Sequence, residues 1–446
     1  MTVTVEISQR RRREVIDALR RGTVPRNGLD VLAVGLDRFV PAVDAELATI
    51  IDGGSVFKAV RGEYGAGKTF FTRWLAERAK RSGVATAEVQ ISETETPLHR
   101  LETLYRRITE NLTTEEFPPS ALRPVLDNWM FTLEEDVLAA GTVAENDAAG
   151  LDAAVGDLLE RRLDGIARSA PTFAAALRGY RSATAGGDTR TAEGLAAWLG
   201  GQPNVAASVR RVAGVKGELD HFGAFGFLQG LLTVLRDCGH PGLLVMLDEV
   251  ETLQRMRSDA RDKALNALRQ LIDEVDAGRF PGLYLVITGT PAFFDGTQGA
   301  QRLPPLAQRL ATDFTTDVRF DNPRAVQVRL PGFTEDGLRE LGARVRDLFV
   351  AGVPDAGRIA ARVDDAYLAA LAQAVTGQLG GKVGVAPRVF LKKLVADILD
   401  RVELHADFDP RRHYQLTLAA AELTEVERNA AGLAVQSVDD VKLDLP

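Results

Sequence analysis

Apolar residues follow two different periods along this chain. Short, almost continuous apolar runs are typical of strands buried in a sheet. They read "SVFKAV" and "VATAEVQIS" early in the chain, then "GLLVMLDEVE", "GLYLVITGT" and "AVQVRLPGF" at 242–251, 282–290 and 325–333. Between the first two runs lie a glycine-rich loop and "KTFFTRWLAERAKRSG", whose apolar residues have helical spacing. This alternation predicts an α/β fold with a parallel, five-stranded sheet flanked by helices.

Helical periodicity dominates the rest of the chain. The region from about 96 to 235 is rich in Ala and Leu and is interpreted as a large helical insertion in the sheet domain. Within it, the stretch "YRSATAGGDTRTAEGLAAWLGGQPN" is rich in Gly, Thr and Ala, a composition that predicts a loop with one short helix. We therefore expect an N-terminal helical segment at 1–50, the sheet domain at 51–332, a small helical domain at 333–404 and an extension with an acidic tail at 405–446.

Composition narrows the class of protein. The 446 residues carry a net charge of -8, which argues against bulk attraction to polyanions. Cys238 is the one cysteine, which excludes an internal disulfide and fits a reducing compartment. The apolar runs are far shorter than the roughly 20 residues that span a bilayer, and "MTVTVEISQRRRREV" lacks a signal-peptide core. We expect a cytoplasmic protein with no membrane partner.

The loop "GEYGAGKT" matches the phosphate-loop pattern G-x-x-x-x-G-K-[ST] and lies between a predicted strand and a predicted helix. Its backbone N–H groups and the helix N-terminus can surround the phosphates of a nucleotide. Lys68 would reach the β- and γ-phosphates, and the Thr69 hydroxyl would hold Mg²⁺. The predicted ATP-binding residues are Gly62, Glu63, Tyr64, Gly65, Ala66, Gly67, Lys68, Thr69 and Phe70.

Acidic residues follow the apolar run "LLVML" at the carboxyl end of a predicted central strand. Ligands of open α/β sheets bind at that end. Asp248 is expected to hold Mg²⁺ together with Thr69, and Glu249 to orient and deprotonate an attacking water. Glu251 either adds further charge at this site or begins the next helix as a solvated residue. This set makes hydrolysis of ATP the expected reaction.

Three further positions are candidates for sensing or stabilising the transferred phosphoryl group. Thr288, rather than Thr290, would sense the γ-phosphate from a strand tip, although threonines there also cap turns. An arginine before the last strand, Arg309 in preference to Arg302, would act across a subunit interface, or both lie on the surface. Arg388 opens a C-terminal helix and would fold over the nucleotide, with a solvated helix-end charge as the alternative.

Other polar features carry less information. The run Arg10–Arg13, and a second group of Lys392 and Lys393 with Arg411 and Arg412, could contact nucleic acid or simply be solvated. The five histidines have no metal-ligand spacing, so no metal other than nucleotide-bound Mg²⁺ is expected.

With these elements in order, the chain resembles an AAA+ ATPase. Within that class, "GEYGAGKTFF", "LDEVETL", "TGTPAFF" and "APRVFLKKL" resemble the ATP-binding P-loop proteins of bacterial BREX phage-defence systems, the BrxD-like branch, which is related to origin-recognition and helicase-loader ATPases. Two features depart from the relatives: many AAA+ proteins have asparagine where Thr288 stands, and the residues after 405 are few for a complete winged helix.

The resemblance implies that the helical domain at 333–404 is a lid. It also implies ATP and Mg²⁺ as cofactors, a helicase-like defence partner, DNA bound directly or through that partner, and a nucleotide-dependent homo-oligomer. Two functions are consistent with the residues: a motor or loader that hydrolyses ATP, and an ATP-held switch with little turnover. A metabolic phosphotransferase is disfavoured, because no second-substrate pocket is recognisable.

Overall fold

The computed structural model of the chain describes residues 7–141, 143–144, 146–378, 387–418 and 423. Within these residues, one sheet has the strand order β3-β2-β4-β5-β1-β6. The strands are β1 (Val56–Arg61), β2 (Ala85–Gln90), β3 (Leu112–Thr113), β4 (Leu243–Asp248), β5 (Leu283–Gly289) and β6 (Gln327–Arg329). The pairs β1–β5, β1–β6, β2–β4 and β4–β5 are parallel. The expected α/β fold is confirmed.

The sheet has one strand more than the sequence predicts. β3 contributes only two residues and pairs antiparallel with Thr86 and Ala87 of β2. A two-residue strand is too short to show a period of two, so the hydrophobic pattern could not reveal it.

Helices connect the strands of this sheet, and further helices precede β1 and follow β6 in the chain. They are α1 (Gln9–Arg20), α2 (Val40–Ile51), α3 (Lys68–Arg81), α4 (Leu101–Glu110), α5 (Leu122–Ala139), α6 (Ala148–Ser169), α7 (Pro171–Ala185), α8 (Thr189–Leu199), α9 (Ala207–Val212), α10 (Ala224–Asp237), α11 (Ser258–Asp276), α12 (Pro291–Asp295), α13 (Pro304–Leu310), α14 (Glu335–Val350), α15 (Ala356–Arg362), α16 (Asp365–Gln378), α17 (Pro387–Lys392), α18 (Asp400–Leu404) and α19 (Pro410–His413). A π-helical stretch, Lys393–Leu399, joins α17 to α18. The tail beyond 423 lies outside the described residues.

Successive side chains of each strand point to opposite faces of the sheet, and a hydrophobic core covers each face. β4 and β5 are buried at every position, which explains why they read as continuous apolar runs. On one face, Leu243, Val245 and Leu247 join a large core with the insertion helices. On the other, Leu244 and Met246 pack with α2 and α3. The carboxyl ends of these two central strands are therefore held rigidly.

The N-terminal segment is shared between two cores. Val15, Ile16 and Leu19 of α1 pack with α14, α16, α17 and the π-helical stretch. By contrast, Leu29 and Phe39 pack against the sheet with α3. The Arg20 guanidinium also binds both carboxylate oxygens of Asp400, at 2.6 and 2.8 Å. The proposed domain limits remain a prediction, but α1 belongs physically to the C-terminal helices.

The prediction of a mostly loop-like stretch at 180–204 is wrong. The stretch contains the end of α7 and all of α8, and Tyr180, Leu195 and Trp198 are buried there. Gly194 lies inside α8, where it permits a close helix contact, because a Cβ on it would lie 2.7 Å from Val209 Cγ1. The glycine pairs at 186–187 and 200–201 lie in the turns that follow α7 and α8.

The charged residue inside β1 is a buried lysine that is paired in the interior of the protein. Lys58 is 4% exposed, forms an ion pair with Glu46 of α2, and donates to the carbonyls of Pro323 and Ala325 at 3.1 and 2.9 Å. Glu46 also accepts a hydrogen bond from the Tyr284 hydroxyl of β5. This network ties α2 and the segment before β6 to the sheet.

Replacing Lys58 with Met should destabilise the fold by about 3 kcal/mol, because the Glu46 carboxylate, only 15% exposed, loses its cation. The change is measured as the free energy of unfolding in urea. The matched control is Arg168→Met, whose ion pair with Asp164 is 77% and 73% exposed and should contribute little. Equal stability of the Lys58 and Arg168 variants would contradict the assignment of a structural role to this network.

Candidate functional site

The loop between β1 and α3 turns on two glycines in the left-handed region of backbone space. Gly65 has φ +80° and Gly67 has φ +90°, conformations that side chains rarely adopt. α3 then begins at Lys68, so its N-terminal N–H groups face the same side as the loop. The sequence "GEYGAGKT" thus folds into a cradle with the geometry that suits an anion.

Lys68 lies at the centre of this cradle. It is 8% exposed, and its Nζ donates to the carbonyls of Gly62 and Glu63 at 2.9 and 3.3 Å. The Nζ also lies 3.9 Å from Glu251 Oε1 and 5.1 Å from the centre of the Tyr64 ring. Burial lowers the pKa of Lys68, whereas the nearby carboxylates, Glu251 first, raise it. The partners of the Lys68 ammonium are thus two backbone carbonyls and a carboxylate 3.9 Å away, and phosphate oxygens can replace the carbonyls.

Asp248 links three elements at the carboxyl edge of the sheet. Thr69 Oγ1 of α3 donates to its Oδ2 at 3.2 Å, and the Thr288 hydroxyl of β5 donates to its Oδ1. Thr288 is fully buried. The hydroxyl of Thr69 and the carboxylate of Asp248 are oxygen donors of the kind that Mg²⁺ takes, so these residues fit the predicted metal site.

Glu249 has an unusual backbone. Its φ of 61° and ψ of 43° place a non-glycine residue in the left-handed region. Its N–H donates to Asp248 Oδ1 at 3.0 Å and to Thr288 Oγ1 at 3.3 Å, which offsets the strain. Its carboxylate accepts a hydrogen bond of 2.9 Å from Gln90 Nε2, at the end of β2. Gln90 was missed by sequence reasoning, and its place after a strand was the only signal.

Glu251 is not a solvated helix start, so that alternative is wrong. It is 6% exposed in the 3₁₀ helix Val250–Arg255, and both carboxylate oxygens lack a hydrogen-bond partner among the described residues. Burial raises its pKa, and the Lys68 ammonium opposes that shift. A buried carboxylate therefore faces the cradle beside Lys68.

A pocket of about 290 Å³ joins the cradle to the C-terminal helices. Its polar end contains Tyr64, Gly65, Gly67, Lys68, Thr69, Phe70, Asp248, Glu249 and Glu251. Its apolar end is formed by Leu19, Gly22, Thr23, Val24, Pro25, Leu32, Phe333, Leu341, Pro387, Arg388 and Leu391. A charged end beside an apolar end suits a nucleotide, with phosphates at one and a flat base at the other.

Residues from the end of α1 to Pro25 form one wall of the apolar end, together with Leu32. They reach the pocket because α1 is fixed to the C-terminal helices, a long-range contact that no local pattern shows.

Arg388 lies in the wall of the pocket. It is the second residue of α17, and its Nη1 would lie 3.7 Å from a Cβ placed on Gly22. Gly22 has φ +71° in the turn after α1, so this wall and the arginine approach closely. The arginine thus lies between the N-terminal wall and the C-terminal helices.

The two arginines before β6 do not line this pocket. Arg309 forms an ion pair with Asp273 of α11, and Arg302 binds Asp262 and the Ser258 hydroxyl, the latter at 2.7 Å. Among the remaining predicted residues of the loop, Gly62 and Ala66 are buried. Glu63 is exposed and lines a neighbouring groove. Thr290 is buried and forms no side-chain capping bond.

The phosphate loop, the acidic end of β4 and the C-terminal helices meet at one pocket, which defines a P-loop nucleotide-binding protein. A family model described as "BREX system ATP-binding protein BrxC/D" matches residues 7–418. The chain therefore belongs to this family, which gives it an ATP-binding role in BREX defence.

The chain also has a distant similarity to a solved structure. The structure of the Aeropyrum pernix ORC2 protein in ADPNP–ADP complexes is similar at 13% identity and a TM-score of 0.35, over 85% of this chain and 70% of that one. So low a TM-score carries no argument about this site. No curated protein matches the chain. In the part of the chain that the structure describes, no helix is long and apolar enough to cross a membrane.

Replacing Thr288 with Val should destabilise the fold by about 1–3 kcal/mol, because Asp248 and the Glu249 N–H both lose a buried partner. Urea unfolding measures the effect. Thr132→Val is the control, since its hydroxyl bonds to Asn128 O on an exposed helix face. If both variants unfold at the same urea concentration, Thr288 does not hold the acidic strand end in place.

Proposed function

We propose that the chain binds ATP with Mg²⁺ and hydrolyses it, and that this cycle drives assembly with a helicase-like, DNA-processing partner in BREX phage defence. The observation that carries the proposal is the 3.2 Å contact between Thr69 Oγ1 and Asp248 Oδ2, with Lys68 and Glu249 in the same pocket. These groups belong to different elements, and their convergence supports phosphoryl chemistry more strongly than the loop alone.

Each residue has a distinct task in this proposal. Lys68 exchanges the carbonyls of Gly62 and Glu63 for phosphate oxygens, and Thr69 and Asp248 hold Mg²⁺. The metal, when bound, neutralises charge on the phosphates. Glu249 orients a water for in-line attack and takes its proton. Thr288 keeps Asp248 and the Glu249 backbone in register, and Arg388 contacts the nucleotide from the lid.

The alternative, an ATP-held switch with little turnover, has two observations in its favour. Glu249 is hydrogen-bonded to Gln90, and Arg302 and Arg309 form ion pairs within their own chain. A single chain in this arrangement does not bring Arg302 or Arg309 to the pocket. Full turnover in the proposed function therefore requires that a neighbouring subunit, or a partner, supplies one of these arginines or its equivalent. Cytoplasmic location and contact with DNA are further parts of the proposal.

Lys68→Ala should abolish binding of fluorescent ATP, because it removes the cation at the phosphates. Glu249→Gln should retain binding but lower steady-state hydrolysis about 10²-fold or more, because only the base is lost. Both are measured in a titration and a phosphate-release assay at several protein concentrations. Tight binding by the Lys68 variant, or wild-type turnover by the Glu249 variant, would contradict these roles.

Arg309→Ala should lower turnover by about 10³-fold at unchanged ATP affinity if Arg309 acts in a neighbouring subunit. Mixing it with Lys68→Ala should restore part of the activity, since the second variant binds no nucleotide but still offers its arginine. Arg302→Ala, treated identically, identifies which of the two arginines acts. Failure of both mixtures to regain activity would exclude an arginine supplied in trans from this segment.

A further inference from the structure

A buried carboxylate without hydrogen-bond partners lies in the nucleotide pocket and has no task in the reaction described above. Glu251 is 6% exposed, and its Oε1 is 3.9 Å from Lys68 Nζ. Neither of its oxygens has a hydrogen-bond partner in the described parts of the chain. Buried charges are costly unless they are compensated, so a position of this kind calls for an explanation.

The local fold holds Glu251 against the cradle. The left-handed backbone of Glu249 starts a 3₁₀ helix at Val250, and Val250 and Leu253 on either side of Glu251 are fully buried in the core. These apolar anchors prevent the segment from turning the carboxylate out to solvent. Its position is therefore a consequence of the backbone and not of a side-chain hydrogen bond.

The cation that pairs with Glu251 is Lys68. Its ammonium has three N–H donors, and the carbonyls of Gly62 and Glu63 accept from it. Its ion-pair partner is Glu251, whose Oε1 lies 3.9 Å away. Phosphate oxygens that approach Lys68 therefore meet a fixed negative charge beside the cation that binds them.

We propose that Glu251 is a specificity-determining residue of the proposed ATP site: its carboxylate competes with nucleotide phosphates for Lys68 and penalises each added phosphate charge. The inference rests on the proposed function, because it concerns the same pocket. The penalty is largest for ATP, whose γ-phosphate adds charge next to Lys68, smaller for ADP, and negligible for AMP. Glu251 thereby limits the preference for ATP over ADP and eases exchange between them.

The test compares the dissociation constants of AMP, ADP and ATP for wild type and Glu251→Gln, by competition with a fluorescent nucleotide. Measurements in EDTA exclude any effect through Mg²⁺. Glutamine keeps the shape and removes the charge, so ATP should bind about tenfold more tightly, ADP less so, and AMP with unchanged affinity. Glu251→Met, which also removes the charge, should change the three affinities in the same order.

The control is Asp259→Asn, which removes one negative charge from an exposed position at the start of α11. It should leave all three dissociation constants unchanged. Thermal unfolding of the Glu251 variants checks that they are folded under the conditions of the binding measurements.

The outcomes separate this inference from the proposed function. If wild type binds ATP but Glu251→Gln binds it no more tightly, or gains equally for AMP, ADP and ATP, the competition for Lys68 is excluded. If wild type binds none of the three nucleotides, the proposed function fails and this inference fails with it. A gain that grows with the number of phosphates supports the inference.

Discussion

The hydrogen bond between Thr69 and Asp248 is the interaction on which the site depends. It joins the first turn of α3 to the end of β4, and so fixes the phosphate loop relative to the acidic strand. Thr288 binds the other oxygen of Asp248 and steadies the strained backbone of Glu249. Because the ends of β4 and β5 are held in a buried sheet, Asp248 and Thr288 are positioned before any ligand binds.

The pocket also joins two bodies of the protein that have separate cores. Its polar end belongs to the sheet, whereas its apolar end belongs to α1 and the C-terminal helices, which share one core and the ion pair between Arg20 and Asp400. In the proposed function, a base at the apolar end contacts the C-terminal helices and the N-terminal wall together, so that nucleotide binding is coupled to the position of those helices.

Local signals predicted much of this architecture, and contacts between distant residues account for the rest. The phosphate loop, Asp248, Glu249 and Arg388 could be named from the sequence because each stands in a short pattern next to a strand or helix, and the structure places them around one pocket. Gln90 and the wall from Leu19 to Pro25 were missed because their positions depend on partners far away in the chain. Gly194 was misinterpreted as part of a loop region, because turns and close helix contacts both use glycine. The burial of Glu251 likewise follows from the core around Val250, which no spacing reveals.

The most direct test of the account is an experimental structure of the full chain with Mg²⁺ and a non-hydrolysable ATP analogue. The account predicts phosphates on Lys68 Nζ, the metal between Thr69 Oγ1 and an Asp248 oxygen, and the base against Val24 and Pro25 with Arg388 above the nucleotide. An analogue bound elsewhere, or a metal held without Thr69 and Asp248, would contradict the central claim that this pocket is the ATP site.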